Sequence, residues 1–100
     1  MEKRTPNCKL STVKALIAEN KVRMTGTALA GAASLNLDAT GILEVVNLSK
    51  TNDFYKSMTT HADHRIWQDV YRPKTPVGYV YLKLTVIDDL LIVSFKALEQ

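Results

Sequence analysis

The sequence predicts an α+β domain in which N-terminal helices pack on a C-terminal antiparallel β-meander. Three observations carry that expectation. Apolar residues recur at helical spacing between Leu10 and Leu48. The stretch "GYVYLKLTVI", residues 78–87, alternates strictly, with Val80, Leu82, Leu84 and Val86 on one side. Asp88 and Asp89 then separate it from the apolar run "LLIVSFK", as a hairpin requires. With 100 residues, 46% hydrophobic and 23% charged, residues 1–100 form a single globular domain with a modest core.

The elements follow in order. In "LSTVKALIAEN", Leu10, Val13, Leu16 and Ile17 share one helical face, and Asn20 is a natural stop. A second helix is expected from about Thr27 to Ser34, where alanines dominate and Gly31 permits close packing. A third begins after Asp38 or Thr40, either of which can cap it, and turns Ile42, Val45, Val46 and Leu48 inward. "SKTNDFY" reads as a break followed by a short helical turn carrying Phe54. "RIWQDVYR" is rich in β-branched and aromatic residues and reads as a strand, with "PKTPV" as the loop behind it.

The hairpin registers bring polar residues together. With Asp88 and Asp89 as central turn residues, Ile87 pairs with Leu90 and, by counting, Leu82 with Phe95, Lys83 with Ser94 and Tyr81 with Lys96. With Pro73–Pro76 as a four-residue loop, Val70 pairs with Tyr79, Gln68 with Tyr81 and Trp67 with Leu82. Trp67 then lies on the core side. Asp69 falls there too, which suggests a bulge. Gln68, Tyr81 and Lys96 form one row across three strands, and Lys56 enters from the preceding helical turn. Such a row is compatible with an ordinary solvated sheet face. It also suits phosphate binding, since a lysine ammonium offers three donors and a full charge.

Residues Asp53–Pro73, "DFYKSMTTHADHRIWQDVYRP", hold both histidines and the only tryptophan. "HADH" gives His61, Asp63 and His64 at most three metal ligands, without the spacing of a zinc site. No metal and no cofactor are expected. His64 is a candidate proton carrier. Cys8 is the sole cysteine, which excludes an internal disulfide and a CxxC site. There is no GxGxxG, P-loop or GxSxG motif. Thirteen basic and ten acidic residues give a net charge of +3, a weak leaning toward polyanions. No basic residue lies between Thr25 and Ser49. Tyr71, Tyr79 and Tyr81 beside Arg72, Lys74 and Lys83 resemble an RNA-binding surface. The start "MEKRTPNCKL" lacks an apolar signal core, and no apolar run approaches membrane length, so a soluble cytoplasmic protein without membrane contact is expected. Residues alone leave an enzyme, a non-catalytic RNA-binding module and a regulatory interaction module all open.

The strings "DFYKSMTT", "IWQDVYRP" and "VYLKLTVIDDLLIVSFK", with "MEKRTP" and "LSTVKALI" before them, closely resemble the MqsR toxins of bacterial type II toxin–antitoxin modules. The resemblance covers nearly the whole chain and is loosest at "GTALAGAASLNLDATGILEVV". It implies a fold similar to the RelE-type toxins. It also implies a metal-independent mRNA interferase that cuts single-stranded message at GC-starting triplets, causing growth arrest and persistence. By matching motifs it implies Lys56, Gln68, Tyr81 and Lys96 as catalytic residues, with Tyr55, His64, Arg72 and Lys83 as weaker RNA contacts. The implied chemistry is attack of a ribose 2′-hydroxyl on its own 3′-phosphate. Lys56 and Lys96 would stabilise charge, either acting as an acid if neighbouring cations depress its pKa. Tyr81 would donate a hydrogen bond or proton, and Gln68 would orient RNA. The implied partner is an MqsA-like antitoxin with a zinc-binding domain and a helix-turn-helix, through which alone DNA would be reached.

Overall fold

The computed structural model describes residues 1–98 and has the α+β architecture expected from the sequence. The helices are α1 (Leu10–Ala18), α2 (Gly26–Ala33) and α3 (Ala39–Leu48). The strands are β1 (Glu2–Lys3), β2 (Val22–Met24), β3 (Phe54–Thr59), β4 (Trp67–Tyr71), β5 (Lys74–Thr75), β6 (Gly78–Ile87) and β7 (Asp89–Ala97). Along the sheet the order is β1-β3-β4-β6-β7-β2, with β5 paired only to β6. Every pairing is antiparallel except β2 with β7.

Local chemistry sets the helix ends. Asn20 adopts φ 61° after α1, a left-handed conformation that asparagine tolerates. The Thr25 hydroxyl caps α2 by accepting from the Ala28 amide at 3.0 Å, and the Asp38 carboxylate caps α3 by accepting from the Gly41 amide at 2.9 Å. Leu10 and Val13 of α1, Ala28 and Ala32 of α2, and Ile42, Val45 and Val46 of α3 pack on one face of the sheet. They meet Tyr71, Val80, Leu82, Leu84, Leu90, Ile92 and Phe95 there. Gly31 lies against β7: a Cβ at that position would collide with the Phe95 carbonyl oxygen.

Several expectations are corrected. The helical turn is a 3-10 turn at Thr51–Asp53, and Phe54 begins β3, so Lys56 sits on a strand and not on a helical turn. Strands β1 and β2 are additions to the meander. In the β4–β6 pair the loop is not Pro73–Pro76. Thr75 pairs with Gly78, which leaves Pro76 and Val77 as the turn. Val70 therefore faces Lys83 and not Tyr79, a slide of four residues that preserves which side each residue faces.

The β6–β7 hairpin also turns one residue early, with Ile87 opposite Asp89 and Asp88 at φ 63°. A bulge at Val93 restores the register, so Lys83–Ser94, Leu82–Phe95 and Tyr81–Lys96 pair as expected. Thr25 holds that bulge, its hydroxyl donating to the Val93 carbonyl at 2.7 Å. Asp69 needs no bulge of its own. It is buried on the helix side, where its carboxylate accepts from the amides of Asn7 and Cys8 and from the Ser57 hydroxyl at 2.6 Å. Trp67 lies toward this side but outside the main core, half-buried with the Lys3 ammonium 4.2 Å from its ring centre.

Candidate active site

The face of the sheet turned away from the helices carries the polar residues. Pairing Asp69 and Tyr71 with Leu84 and Leu82 commits those four side chains to the core side. The alternation of a strand then turns Val70, Lys83 and Lys56 outward. Lys56, Val70, Lys83 and Ser94 form one row across β3, β4, β6 and β7. Tyr81 and Lys96 form the neighbouring pair. Val70 is fully buried although it does not belong to the hydrophobic core cluster. Its cover is therefore the long side chains flanking it on this outer face.

A bulge in β3 between Phe54 and Lys56 places Tyr55 beside Lys56. Cations gather around two rings as a result. The Arg72 guanidinium lies 3.8 Å from the centre of Tyr55, the Lys56 ammonium 5.3 Å and the Arg4 guanidinium 5.7 Å. The ammoniums of Lys96 and Lys83 lie 5.2 Å and 5.9 Å from the centre of Tyr81. All these separations are within cation–π range. Two open grooves are lined in part by these charged and aromatic groups. One is lined by Ser34, Tyr81, Lys96 and Leu98, the other by Asn52, Asp53, Arg72 and Tyr79. An apolar groove between α3 and the turn after β5, lined by Leu37, Val45, Leu48, Pro73 and Val77, contains none of these charged and aromatic groups.

A carboxylate enters this basic face from β1. Because Glu2 is the cross-strand neighbour of Met58, its Oε2 reaches the Lys56 ammonium at 2.8 Å. That hydrogen bond raises the Lys56 pKa above its ordinary value and lowers that of Glu2. Lys56 is thus a fixed cation, and the depressed pKa that would let it act as an acid is not found there. Lys83 is the lysine whose pKa falls, first through burial and then through Lys96 and Lys56 nearby. Burial raises the Tyr81 pKa, so its hydroxyl keeps its proton and serves as a donor. Cys8 is pushed up by burial and by Asp69, which leaves the thiol unreactive.

The structure brings together Tyr55, Lys56, Arg72, Tyr81, Lys83 and Lys96. It does not place Gln68 in their row. Gln68 pairs with Met58 and lies two residues from Val70, at the far end of the same face. His64 is exposed in the turn between β3 and β4, apart from the cluster, and His61 is exposed beside it. Asp63 is turned to Arg65, its Oδ1 3.1 Å from Nε. Among the described residues no three His, Cys, Asp or Glu side chains converge as metal ligands would, and no helix is long and apolar enough to cross a membrane. Sequence reasoning missed Glu2 and Arg4. They arrive through a two-residue edge strand that has no periodicity to reveal it.

The chain is 57% identical over 96 residues to the mRNA interferase toxin MqsR of Escherichia coli strain K12, a match covering 96% of this chain and 98% of that protein. The family model described as "Motility quorum-sensing regulator, toxin of MqsA" matches residues 5–97. With that span and that identity, the chain belongs to the MqsR toxin family.

Proposed function

We propose that this protein is an mRNA interferase, the toxin of a type II toxin–antitoxin pair, which cuts single-stranded message without a metal. The observation that carries the reading is the convergence of Lys56, Lys83 and Lys96 with Tyr81 and Tyr55 over the buried Val70. Such a face offers full positive charge to phosphates and aromatic rings to bases. The nucleophile is the substrate's own 2′-hydroxyl, so the protein's part is positioning, charge stabilisation and proton transfer. Its products are a 2′,3′-cyclic phosphate and a 5′-hydroxyl end.

Each side chain has a role in this scheme. Lys56 and Lys96 bind the non-bridging oxygens of the scissile phosphate, and Tyr81 donates a hydrogen bond to one of them. Lys83, the lysine most ready to release its proton, protonates the departing 5′-oxygen. Tyr55 and Arg72 hold a flanking nucleotide by stacking and charge. Gln68 orients RNA at the far end of the face, and His64 contacts it more peripherally. The further reading is cleavage at GC-starting triplets, growth arrest with persistence as its consequence, and neutralisation by an MqsA-like zinc-binding, helix-turn-helix antitoxin.

The test is single-turnover cleavage of an end-labelled single-stranded RNA in EDTA. Wild type should give discrete cuts ending in 2′,3′-cyclic phosphate. Lys56→Ala, Tyr81→Phe and Lys96→Ala should each slow the cut by about 100-fold or more, as loss of an electrostatic or proton-transfer group does. Circular dichroism should show these variants folded. RNA that is bound but left intact by wild type would replace the enzyme with a binding module.

A further inference from the structure

We propose that Glu2 is the general base, taking the proton from the attacking 2′-hydroxyl. The inference rests on the endoribonuclease reading and supplies the group which that reading lacks. Glu2 projects its carboxylate among the cations of the outer face, 2.8 Å from Lys56. A group hydrogen-bonded to the ammonium that holds the scissile phosphate is within one ribose of the reacting phosphorus. Oε2 is engaged by Lys56, which leaves Oε1 for the substrate hydroxyl. The side chain is 56% exposed, so the substrate can reach it.

Among the described residues, two other carboxylates near this face serve local structure. Asp53 accepts from the Lys50 amide at 2.8 Å, and Asp63 is paired with Arg65. Glu2, by contrast, is held in place by ties around it. The Met1 carbonyl accepts from the Thr59 amide at 3.0 Å. Lys3 lies over Trp67 and donates to the Asn7 side chain at 3.2 Å. Asn7 and Cys8 are in turn anchored by the buried Asp69. Pre-organisation of this kind is what a general base requires.

Charge explains how a carboxylate with a lowered pKa can act as a base. In the free protein Lys56, with smaller contributions from Arg4 and the N-terminal ammonium, keeps Glu2 ionised. When a phosphate binds Lys56, its negative charge offsets that cation, and the proton affinity of Glu2 rises as the reaction needs. In the step itself, the 2′-oxygen–phosphorus bond forms as the 2′-proton passes to Oε1. The phosphorus–5′-oxygen bond breaks, and the 5′-oxygen leaves with a proton from Lys83. No oxidant, reductant or further reactant enters.

The test compares full-length wild type with Glu2→Gln and Glu2→Ala. Single-turnover cleavage is measured alongside affinity for the same RNA bearing 2′-deoxy at the scissile nucleotide. Glu2→Gln should lose about 100-fold or more in cleavage rate, the usual scale for general-base loss, while binding the uncleavable RNA at least as tightly. Added formate should restore cleavage to Glu2→Ala. The proposal is overturned if Glu2→Gln cleaves within about threefold of wild type, far short of the loss expected for a base. It is equally overturned if affinity falls in step with rate and formate restores nothing, since Glu2 would then act only by placing Lys56. A wild-type protein that cleaves no RNA would instead remove the endoribonuclease reading, a separate result read in the same assay.

Discussion

Asp69 gathers three donors at one buried carboxylate, two amides of the N-terminal segment and the hydroxyl of Ser57 on β3. Removing such a group strands its donors beside a buried position. Asp69→Ala should therefore cost about 3 kcal/mol in urea unfolding. Hydrogen exchange at the Asn7 and Cys8 amides should rise in the same variant, and cleavage should fall because Glu2 and Arg4 lose their seat. At this scale the sequence was partly legible. Lys56, Tyr81 and Lys96 stood out by type and by motif, and two of them by register. Asp69 looked misplaced on the core side because two of its three donors come from residues more than sixty positions away, which no local pattern displays. Glu2 was illegible for the same reason.

The helix α2 and the strand β7 are bound more tightly than either sequence implies. A methyl group on Gly31 would collide with the Phe95 carbonyl, a backbone atom that cannot rotate aside. Gly31→Ala should push α2 off the sheet and cost about 3 kcal/mol in chemical denaturation, the upper range for overpacking. Cleavage should weaken with it, since Lys96 follows Phe95 on β7. Helices α1 and α3 and the long strand β6 were readable because each displays its own period, α2 through its alanines, and β7 through the turn before it. Turn positions were less so. The alternation on β6 fixes faces but not register, so the β4–β6 pairing could slide by four residues without moving any side chain to the wrong side. The β6–β7 pairing kept Tyr81 opposite Lys96 only because an early turn and the bulge at Val93 compensate each other.

The molecule as a whole divides its two sheet faces between stability and chemistry. Helices cover one face, and five cations, Arg4, Lys56, Arg72, Lys83 and Lys96, cluster around two tyrosine rings on the other. RNA bound there should release counterions. For three to five neutralised phosphates, the logarithm of affinity should fall against the logarithm of salt with a slope of about −2 to −3.5. Fluorescence anisotropy with an uncleavable RNA measures that slope, and Lys83→Met should reduce its magnitude by about 0.7. A slope near zero would remove phosphate contacts from this face.

The sequence by itself determined the α+β class, the stop of α1 at Asn20, the apolar faces and the residue types available for phosphate chemistry, because each depends on neighbours a few positions apart. Only the tertiary structure decided which strands flank one another, where β1 and β2 join the sheet edges, and which carboxylate meets Lys56. Those outcomes depend on backbone hydrogen bonds and buried partners far apart in the chain, whose pairing is settled when the sheet closes around its core.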